Sequence, residues 1–330
     1  MHFVFFKMLC AFLVLPLLLG LPAQAEGVNA GYPVREVRLV VPAEPGAGMD
    51  AVARLLAQQL SLRLSQPFLV INRSGADGNV GTASVARANP DGYTLLVNGV
   101  GQIASPLLHA EPGYDAVQDF EPIAKIASAP SVLLVHASLK ELSVDQLRHE
   151  MGKDGRGLAF GSAGIGTTSY LAAQLFMART GARWLHVPYR GTAPALRALM
   201  SGEVQVMFVP ASSMAAAVST GRVQALAVAH PSRLSQYPEL ATLAELGIKG
   251  AEFGQWYGLF APAGTPAAVL DALWAGTVAA IQTGPLARYM AEQGMQGVPL
   301  QRQEFARSIQ AERMQLSTLL KKEGITGGLP

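Results

Sequence analysis

LAFGSAGIGTTSYLAAQLF, residues 158–176, is the stretch of sequence that decides the fold. Its first residues, Leu158 to Phe160, are apolar and predict a short strand. Its last part carries Leu171, Leu175 and Phe176 at helical spacing and predicts a helix. A turn rich in glycine and hydroxyl side chains joins the two. A strand followed at once by a helix is typical of α/β proteins, in which such units repeat.

The turn is a candidate anion-binding site. The first N–H groups of a helix have no intrahelical acceptor, and the aligned peptide dipoles place roughly half a positive charge at that end. Gly164 and Gly166 allow a ligand to approach the backbone closely. Ser162, Thr167 and Thr168 supply hydroxyl groups that donate to a ligand or cap the helix themselves. An ordinary capped strand-to-helix turn is the alternative interpretation of the same residues.

The first 25 residues have the pattern of a secretory signal peptide. Lys7 lies in a short initial region, Met8 to Leu21 is almost wholly apolar, and Ala23 to Ala25 fits a small-x-small cleavage site. We therefore expect export and cleavage after Ala25. A retained membrane anchor is the alternative, and the short, proline-interrupted apolar run disfavours it.

Composition excludes several classes of protein. Half of the 330 residues are hydrophobic and 15% are charged, which indicates a globular protein with a substantial core. The one cysteine, Cys10, lies within the signal segment, and a mature chain of about 300 residues buries enough surface without disulfides. Without Lys7 the chain has 24 basic and 23 acidic residues. This balance, with no basic run, argues against a nucleic-acid partner.

Strands and helices alternate along most of the chain. This alternation predicts a parallel sheet with helices on both faces, whose ligands lie at the carboxyl ends of the strands. The predicted strands and apolar segments are 37–41, 68–71, 93–97, 132–135, 158–160, 184–187, 204–209, 225–229 and 256–260. The predicted helices are 50–64, 82–88, 144–151, 193–200, 211–220, 266–281, 286–292 and 301–323, together with the helix that carries Leu171, Leu175 and Phe176.

The alternation gives two α/β units of about 100 residues each, and chains of about 300 residues usually divide into domains. The three helices that follow Pro266 need a sheet to cover. We expect them to return to the first unit, so that the chain crosses twice between two lobes.

Several motifs, in this order and spacing, resemble one known family along nearly the whole mature chain. That family is the Bug-type periplasmic solute-binding receptors of tripartite tricarboxylate transporters. The motifs are YPVREVRLVVP (32–42), DAVARLLAQQL (50–60), ANPDGYTLL (88–96), FGSAGIGT (160–167), HVPYRGTAPAL (186–196), LAVAHPSR (226–233) and YGLFAPAGTP (257–266).

The resemblance implies a type II periplasmic-binding-protein fold, an α/β fold with two lobes, central mainly parallel sheets and a ligand cleft between them. We expect residues 26–128 and 237–330 in lobe 1 and residues 129–236 in lobe 2. The implied ligand is a small organic acid or an amino-acid-like molecule, held between the loop at 42–50 and the turn at 161–168. The implied location is the periplasm, and the implied partners are membrane permease subunits of the transporter.

The first-lobe loop departs from the family pattern. Where the family usually has an aromatic residue, a proline and paired glycines, this chain has Ala43, Glu44, Pro45, Gly46 and Ala47. The missing aromatic ring widens the predicted pocket. Glu44 would repel a carboxylate inside that pocket, so it points to solvent or a local donor, or else it contacts the amine of a less anionic ligand.

Other candidate ligand contacts lie at strand ends. Asn98 ends the third predicted strand, ahead of a turn at Gly99 and Gly101. Tyr189 and Arg190 follow a strand in the second lobe, where the guanidinium suits a carboxylate or pairs with a surface acid. Val209 stands where the family often has an aspartate, so a polar ligand contact is missing there. Tyr170, in place of a frequent histidine, is expected to be a core or rim aromatic residue.

The sequence predicts no catalytic residue, cofactor or metal site. The glycine turn is neither a Walker loop nor a nucleophile elbow, because no Gly-Lys-Ser/Thr follows and Phe160 stands two residues before Ser162. The histidines are scattered without metal spacing. A secreted enzyme with an unrecognised active site is one alternative to the transport receptor. A receptor that presents its ligand to a membrane sensor kinase is the other.

Overall fold

The computed structural model describes residues 31–150, 158–189 and 191–322. The predicted signal peptide and Arg190 therefore lie outside the described residues. The strands are β1 (Val37–Val41), β2 (Phe68–Asn72), β3 (Thr94–Gly99), β4 (Phe120–His136), β5 (Ala159–Ser162), β6 (Leu185–Pro188), β7 (Val206–Pro210), β8 (Val223–Ala229), β9 (Gly254–Pro262) and β10 (Gln296–Gly297). The helices are α1 (Gly48–Leu64), α2 (Asn79–Ala86), α3 (Val100–Leu108), α4 (Val144–Leu147), α5 (Thr168–Thr180), α6 (Thr192–Ser201), α7 (Ala211–Val218), α8 (Ala267–Gln282), α9 (Pro285–Glu292) and α10 (Arg302–Lys322).

The strands form a mixed sheet in the order β2-β1-β3-β9-β4-β7-β5-β6, with β8 and β10 also paired to β4. Pairing is parallel between β1 and β2, β1 and β3, β5 and β6, and β5 and β7. It is antiparallel where β4 and β9 take part. The predicted parallel units thus form the two outer parts of the sheet, and the antiparallel strands join them.

The long strand β4 makes the first crossing between the two parts. From Phe120 to Pro130 it pairs with β9, and from Ser131 to His136 it pairs with β7 and β8. After β8 the chain returns, and β9 pairs with β3 and β4. This path agrees with the expected double crossing, which stays a prediction. The change of partners between Pro130 and Ser131 supports the proposed lobe boundary near residue 128.

Apolar strands explain where the core lies. In β1, Arg38 is exposed and the other four residues are buried. The three consecutive buried residues at its end are expected for a strand covered on both faces. One apolar cluster lies between β1, β3 and the helices α1 and α8. Another covers β7 and α6 and α7. A third runs through both parts of the sheet and includes Phe160, Phe176 and Phe305. Each such side chain contributes about 1.5–3 kcal/mol when fully buried.

Three stretches differ from the sequence-based expectation. The first half of β4 was not predicted, because its prolines, Pro122 and Pro130, and its lysine, Lys125, interrupt the apolar pattern. The turn predicted at Gly99 and Gly101 is wrong beyond Gly99, since α3 begins at Val100. Gly101 and Pro106 lie within α3, and both residue types are unfavourable in helices, so the sequence did not predict this helix.

Helix α4 ends at Leu147 within the described residues, short of the predicted end at Met151. Among the described helices, none combines the length and the apolar character that crossing a membrane requires.

Candidate functional site

Hydrogen bonds within the turn between β5 and α5 hold it in shape. Ser162 Oγ accepts from the N–H of Gly164 at 3.1 Å, and Ser169 Oγ accepts from the N–H of Ala163 at 3.0 Å. Thr167 Oγ1 donates to the carbonyl of Gly164 at 2.6 Å. The hydroxyls of Ser162, Thr167 and Ser169 are therefore engaged in the turn itself, so the backbone of this turn is what it offers to a ligand.

Helix α5 begins with backbone N–H groups that precede its first helical hydrogen bond. The first helical hydrogen bond runs from Leu171 N–H to Thr167 C=O, and Thr167, the N-cap, makes no capping bond with its side chain. The N–H groups of Thr168 and Ser169 precede that bond. Together with the helix dipole they favour an anion at this end of α5.

A cavity of about 230 Å³ opens beside this turn, between the two parts of the molecule. Ile165, Gly166 and Thr167 line it on the side of the second lobe. The facing wall comes from α3 and the segment before α2, and its members are Asp77, Gly101, Ala104, Ser105, Leu108 and His109. Leu108 lies so near Gly166 that a Cβ atom at position 166 would stand 2.5 Å from its Cδ1. The structure thus brings the turn face to face with α3.

Thr168 links α5 to the returning strand β9. Its Oγ1 donates to Oε1 of Gln255 at 2.7 Å, and Nε2 of Gln255 donates to the carbonyl of Trp256 at 3.2 Å. Gln255 precedes the segment of β9 that pairs with β3. This contact connects the two lobes at the side of the predicted cleft.

Hydrogen bonds to Asp50 hold the loop before α1, which contains the predicted site residues 43, 44, 46 and 47. The carboxylate of Asp50 accepts from Gly46 N–H, Arg54 Nε and Asn72 Nδ2, each at 2.9 Å. Burial alone would raise the pKa of Asp50, but these hydrogen bonds outweigh it and hold the pKa below its ordinary value. Asp50 lies in the first turn of α1, whose N-cap is Ala47.

The other predicted residues of this loop lie around that network. Glu44 and Gly46 are exposed, whereas Ala43 and Ala47 are half-buried. The carbonyl of Ala43 accepts from Asn72 Nδ2 at 3.1 Å, and Ala47 is the N-cap of α1. The exposure of Glu44 agrees with the interpretation that it points to solvent. Its role toward a ligand stays a prediction.

Replacing Asp50 tests the loop network. Asp50→Ala removes three hydrogen bonds to a buried carboxylate, so we expect a loss of about 2–3 kcal/mol in the free energy of unfolding at pH 7. Because the folded-state pKa is depressed, the contribution is present above the ordinary pKa and is lost as the pH falls, so the two proteins converge in acid. Urea unfolding at pH 7 and at several pH values below the ordinary pKa of 3.8 measures this. Arg54→Ala, which leaves two of the bonds, is the control, and an equal loss there would contradict the assignment.

Asn98 and Val209 are buried. Asn98 Nδ2 donates to Thr82 Oγ1 at 2.9 Å, and its Oδ1 accepts from Gly99 N–H at 2.8 Å. Val209 is fully enclosed in the apolar cluster on β7 and pairs with Val132 of β4. The structure gives both residues packing or hydrogen-bonding roles within the fold, and their predicted part in ligand contact stays untested.

Tyr189 follows β6 and is half-buried. Its hydroxyl donates to Oε1 of Glu203 at 2.7 Å. Burial, followed by this hydrogen bond and the charge of Glu203, raises the pKa of Tyr189 to about 12. The phenol is therefore protonated at neutral pH and is committed to Glu203.

Ser162 and His186 form a serine–histidine pair that the sequence did not predict. Their Oγ and Nε2 atoms are 2.7 Å apart. Such a pair has the composition of a nucleophile and a base. Ser162 is fully buried, however, and among the described residues no carboxylate contacts the imidazole. Burial lowers the pKa of His186, so the ring is neutral at pH 7. The enclosed hydroxyl is suited to holding the turn and not to attacking a substrate.

Sequence reasoning missed Asp77, Ser105 and His109 on the cavity wall. Nε2 of His109 lies 3.2 Å from Oδ2 of Asp77, and Ser105 Oγ donates to Asn79 Oδ1 at 2.7 Å. Asp77 belongs to the polar, glycine-rich stretch after the second predicted strand, which was a usable signal. No sequence signal pointed to Ser105 and His109, because helix α3, which contains Ser105 and ends just before His109, was not predicted.

A groove larger than this cavity, about 880 Å³, lies between α8 and the start of α10, and none of the predicted site residues lines it. Within residues 31–150, 158–189 and 191–322, no group of three or more His, Cys, Asp or Glu side chains could hold a metal ion.

Comparison with known proteins gives one family. The model of the tripartite tricarboxylate transporter family receptor, TctC, matches residues 52–325. A protein in the tcbD–tcbE intergenic region of Pseudomonas sp. (strain P51) is 38% identical over 251 residues, which are 76% of this chain and 74% of the relative. The protein BugT of Bordetella pertussis (strain Tohama I) is 32% identical over 265 residues, covering 80% of this chain and 81% of BugT.

Solved structures agree with this result. The periplasmic binding protein BugD superposes with a TM-score of 0.71 at 32% identity, covering 89% of this chain and 99% of BugD. An R. palustris protein solved with adipate gives 0.72 at 32% identity, with coverage of 89% and 99%. MatC from Rhodopseudomonas palustris, solved with malate, gives 0.69 at 29% identity, with coverage of 88% and 100%. These likenesses confirm the expected two-lobed periplasmic-binding-protein fold.

Proposed function

We propose, from the premise that this chain belongs to the tripartite tricarboxylate transporter family of receptors, that it captures a small carboxylate-bearing ligand in the cavity between its lobes. The observation that carries the proposal is the cavity itself, which places the N-terminus of α5 opposite α3. The N–H groups of Thr168 and Ser169 precede the first helical hydrogen bond of α5 and suit one carboxylate of the ligand.

The size of the cavity supports a small ligand. Its volume of about 230 Å³ lies below the range of about 300–1,000 Å³ typical of sites for drug-sized molecules. Two solved relatives contain adipate and malate, which are short dicarboxylates. A short organic acid is therefore the ligand class that we propose here.

The proposal extends to location and partners. The chain acts in the periplasm after cleavage behind Ala25 and delivers its ligand to membrane permease subunits of a tripartite tricarboxylate transporter. Presentation of the ligand to a membrane sensor kinase is the alternative, and a pull-down against permease and sensor subunits, with and without ligand, separates the two. The receptor family and the enclosed Ser162 favour binding without turnover over the enzyme alternative.

Calorimetric titration of the mature protein with malate, adipate and aspartate tests the ligand class. We expect one binding site per chain for at least one of them. At 100 times its dissociation constant that ligand should add about 2.7 kcal/mol to the free energy of unfolding. Failure of every small acid or amino acid to bind or stabilise the protein would contradict the proposal. If Glu44 selects an amine, any preference for aspartate over malate should vanish in Glu44→Ala.

A further inference from the structure

We propose that His186 is a positioning residue, which fixes the turn between β5 and α5 in its ligand-receiving form through Ser162, without touching the ligand. The inference rests on the proposed function, because it assigns a role in the same site. It starts from a hydrogen bond between side chains that ties this turn to the neighbouring strand, the contact of 2.7 Å between Ser162 Oγ and His186 Nε2.

The sheet places His186 next to the turn. In the parallel pairing of β5 and β6, His186 stands opposite Phe160, two residues before Ser162. Residues two apart in a strand share a face, so His186 reaches both of them. Its ring stacks on Phe160 with centroids 4.8 Å apart and meets the ring of Tyr170 at 4.7 Å. Phe160 and Tyr170 are buried, so the imidazole is held from two sides.

The hydroxyl of Ser162 has one hydrogen to give and two lone pairs to receive. One lone pair accepts the N–H of Gly164 at 3.1 Å. The hydrogen has two possible acceptors, His186 Nε2 at 2.7 Å and Gly164 C=O at 3.3 Å. A neutral imidazole that carries its proton on Nδ1 accepts this hydrogen at Nε2, at the shorter distance, and Ser162 then satisfies the Gly164 amide without competition.

A protonated His186 breaks this arrangement. Its Nε2 would donate to Ser162, whose own hydrogen must then turn to the carbonyl of Gly164. That carbonyl already accepts from the N–H and the hydroxyl of Thr167, at 3.3 and 2.6 Å. The extra bond competes with the contact that sets Thr167 as the N-cap of α5. The turn would therefore shift on the side where Gly166 and Thr167 line the cavity.

The surroundings of the ring favour the neutral form. Three described side chains form a hydrogen bond or a ring contact with the imidazole. Ser162 and Phe160 of β5 carry no charge, and Tyr170 of α5 has a titratable phenol. Within the described part of the chain, no ion pair compensates a charge on His186. Burial accordingly lowers its pKa.

Two substitutions separate the hydrogen bond from the packing. His186→Phe keeps a ring between Phe160 and Tyr170 but has no acceptor, whereas His186→Gln keeps an acceptor and loses the ring. We expect His186→Phe to weaken binding of the best-bound acid from the titration series at least tenfold, and His186→Gln to stay within about threefold of the unchanged protein. The exposed His149→Gln is the control and should change nothing.

The dependence of ligand affinity on pH tests the role of His186 further, because a purely structural role would not change it. Affinity of the unchanged protein should be steady near neutral pH and fall in acid as His186 becomes protonated. His186→Gln should lack that part of the fall, measured with the same ligand and buffers so that the ligand's own titration cancels. Parallel profiles for the two proteins, or equal affinity of His186→Phe and the unchanged protein, would overturn the inference.

Ser162→Ala keeps the test open if His186→Phe does not fold. It removes the other end of the same link, so it should weaken binding by a similar factor, and the double variant should be no weaker than either single one. Additive losses would overturn the inference. Failure of the unchanged protein to bind any acid would instead overturn the proposed function, so the two failures are distinguishable.

Discussion

Gly166→Val is expected to weaken carboxylate binding by about 10- to 100-fold. Gly166 has a φ of +80°, and a Cβ atom there would lie 2.5 Å from Cδ1 of Leu108 on the opposite wall. Leu108 is 4% exposed and cannot turn into solvent without leaving its core contacts. Overpacking of this kind costs about 1–3 kcal/mol, and about 1.4 kcal/mol corresponds to a tenfold change in affinity.

A matched glycine at the other end of α5 separates backbone strain from the clash. Gly181, just after α5, has a similar φ of +75° and no atom within 4 Å of an added Cβ. Gly181→Val should therefore lower stability but leave affinity within about threefold. Leu108→Ala combined with Gly166→Val should recover most of the lost affinity, because it removes the clashing atoms. If the double variant binds no better than Gly166→Val, the turn does not meet α3 in the way described. Titration calorimetry with malate or adipate measures all four proteins.

Glu312→Gln is expected to change the pH dependence of stability. The indole Nε1 of Trp256 donates to Oε2 of Glu312 at 2.8 Å, and Nζ of Lys125 lies 6.0 Å from the centroid of the Trp256 ring. Burial raises the pKa of Glu312 to about 7, although the Trp256 hydrogen bond and the charge of Lys125 act in the opposite direction. Folding thus favours the protonated carboxyl.

The sign of the effect follows from the two pKa values. Because the folded-state pKa lies above the ordinary value of 4.5, the stabilising contribution is complete below pH 4.5 and is lost as the pH rises through about 7. Glutamine keeps an acceptor for Trp256 and cannot ionise. Glu312→Gln should therefore resemble the unchanged protein at pH 4.5. Above pH 7 it should be more stable by about 2–3 kcal/mol, allowing for partial solvent screening.

Urea unfolding at several pH values between 4.5 and 8 measures this difference. The exposed Glu111→Gln is the control and should follow the unchanged protein throughout. Parallel stability profiles for Glu312→Gln and the unchanged protein would show that Glu312 ionises in the folded protein as it does in water.

Local patterns predicted the outer parts of the sheet well, because there each element carries its own signal. The run of Val37 to Val41 is apolar enough to require burial on both faces, and the stripe of Val52, Leu56 and Leu60 identifies α1 as amphipathic. The double crossing was also predicted, since helices late in the chain need a sheet to cover.

Local sequence patterns did not predict the wall of the cavity that α3 forms opposite the glycine turn. Leu108 and His109 meet the glycine turn only because α3 packs beside it, and the sequence around Pro106 did not indicate a helix. The pairing of Ser162 with His186 depends on β5 and β6 being neighbours, which is a tertiary contact between residues 24 positions apart. Motifs pointed to the turn on one wall of the proposed site, and long-range packing supplied α3 on the opposite wall.

The partner exchange in β4 has a mechanical consequence. At the last rung before the exchange, Pro130 stands opposite Gly254 of β9. Proline brings no amide hydrogen and glycine no side chain, so this rung resists bending less than its neighbours do. We expect a rotation of one lobe against the other to concentrate at this rung. The paired strands on either side of it would then move as rigid bodies as the cleft closes on a ligand.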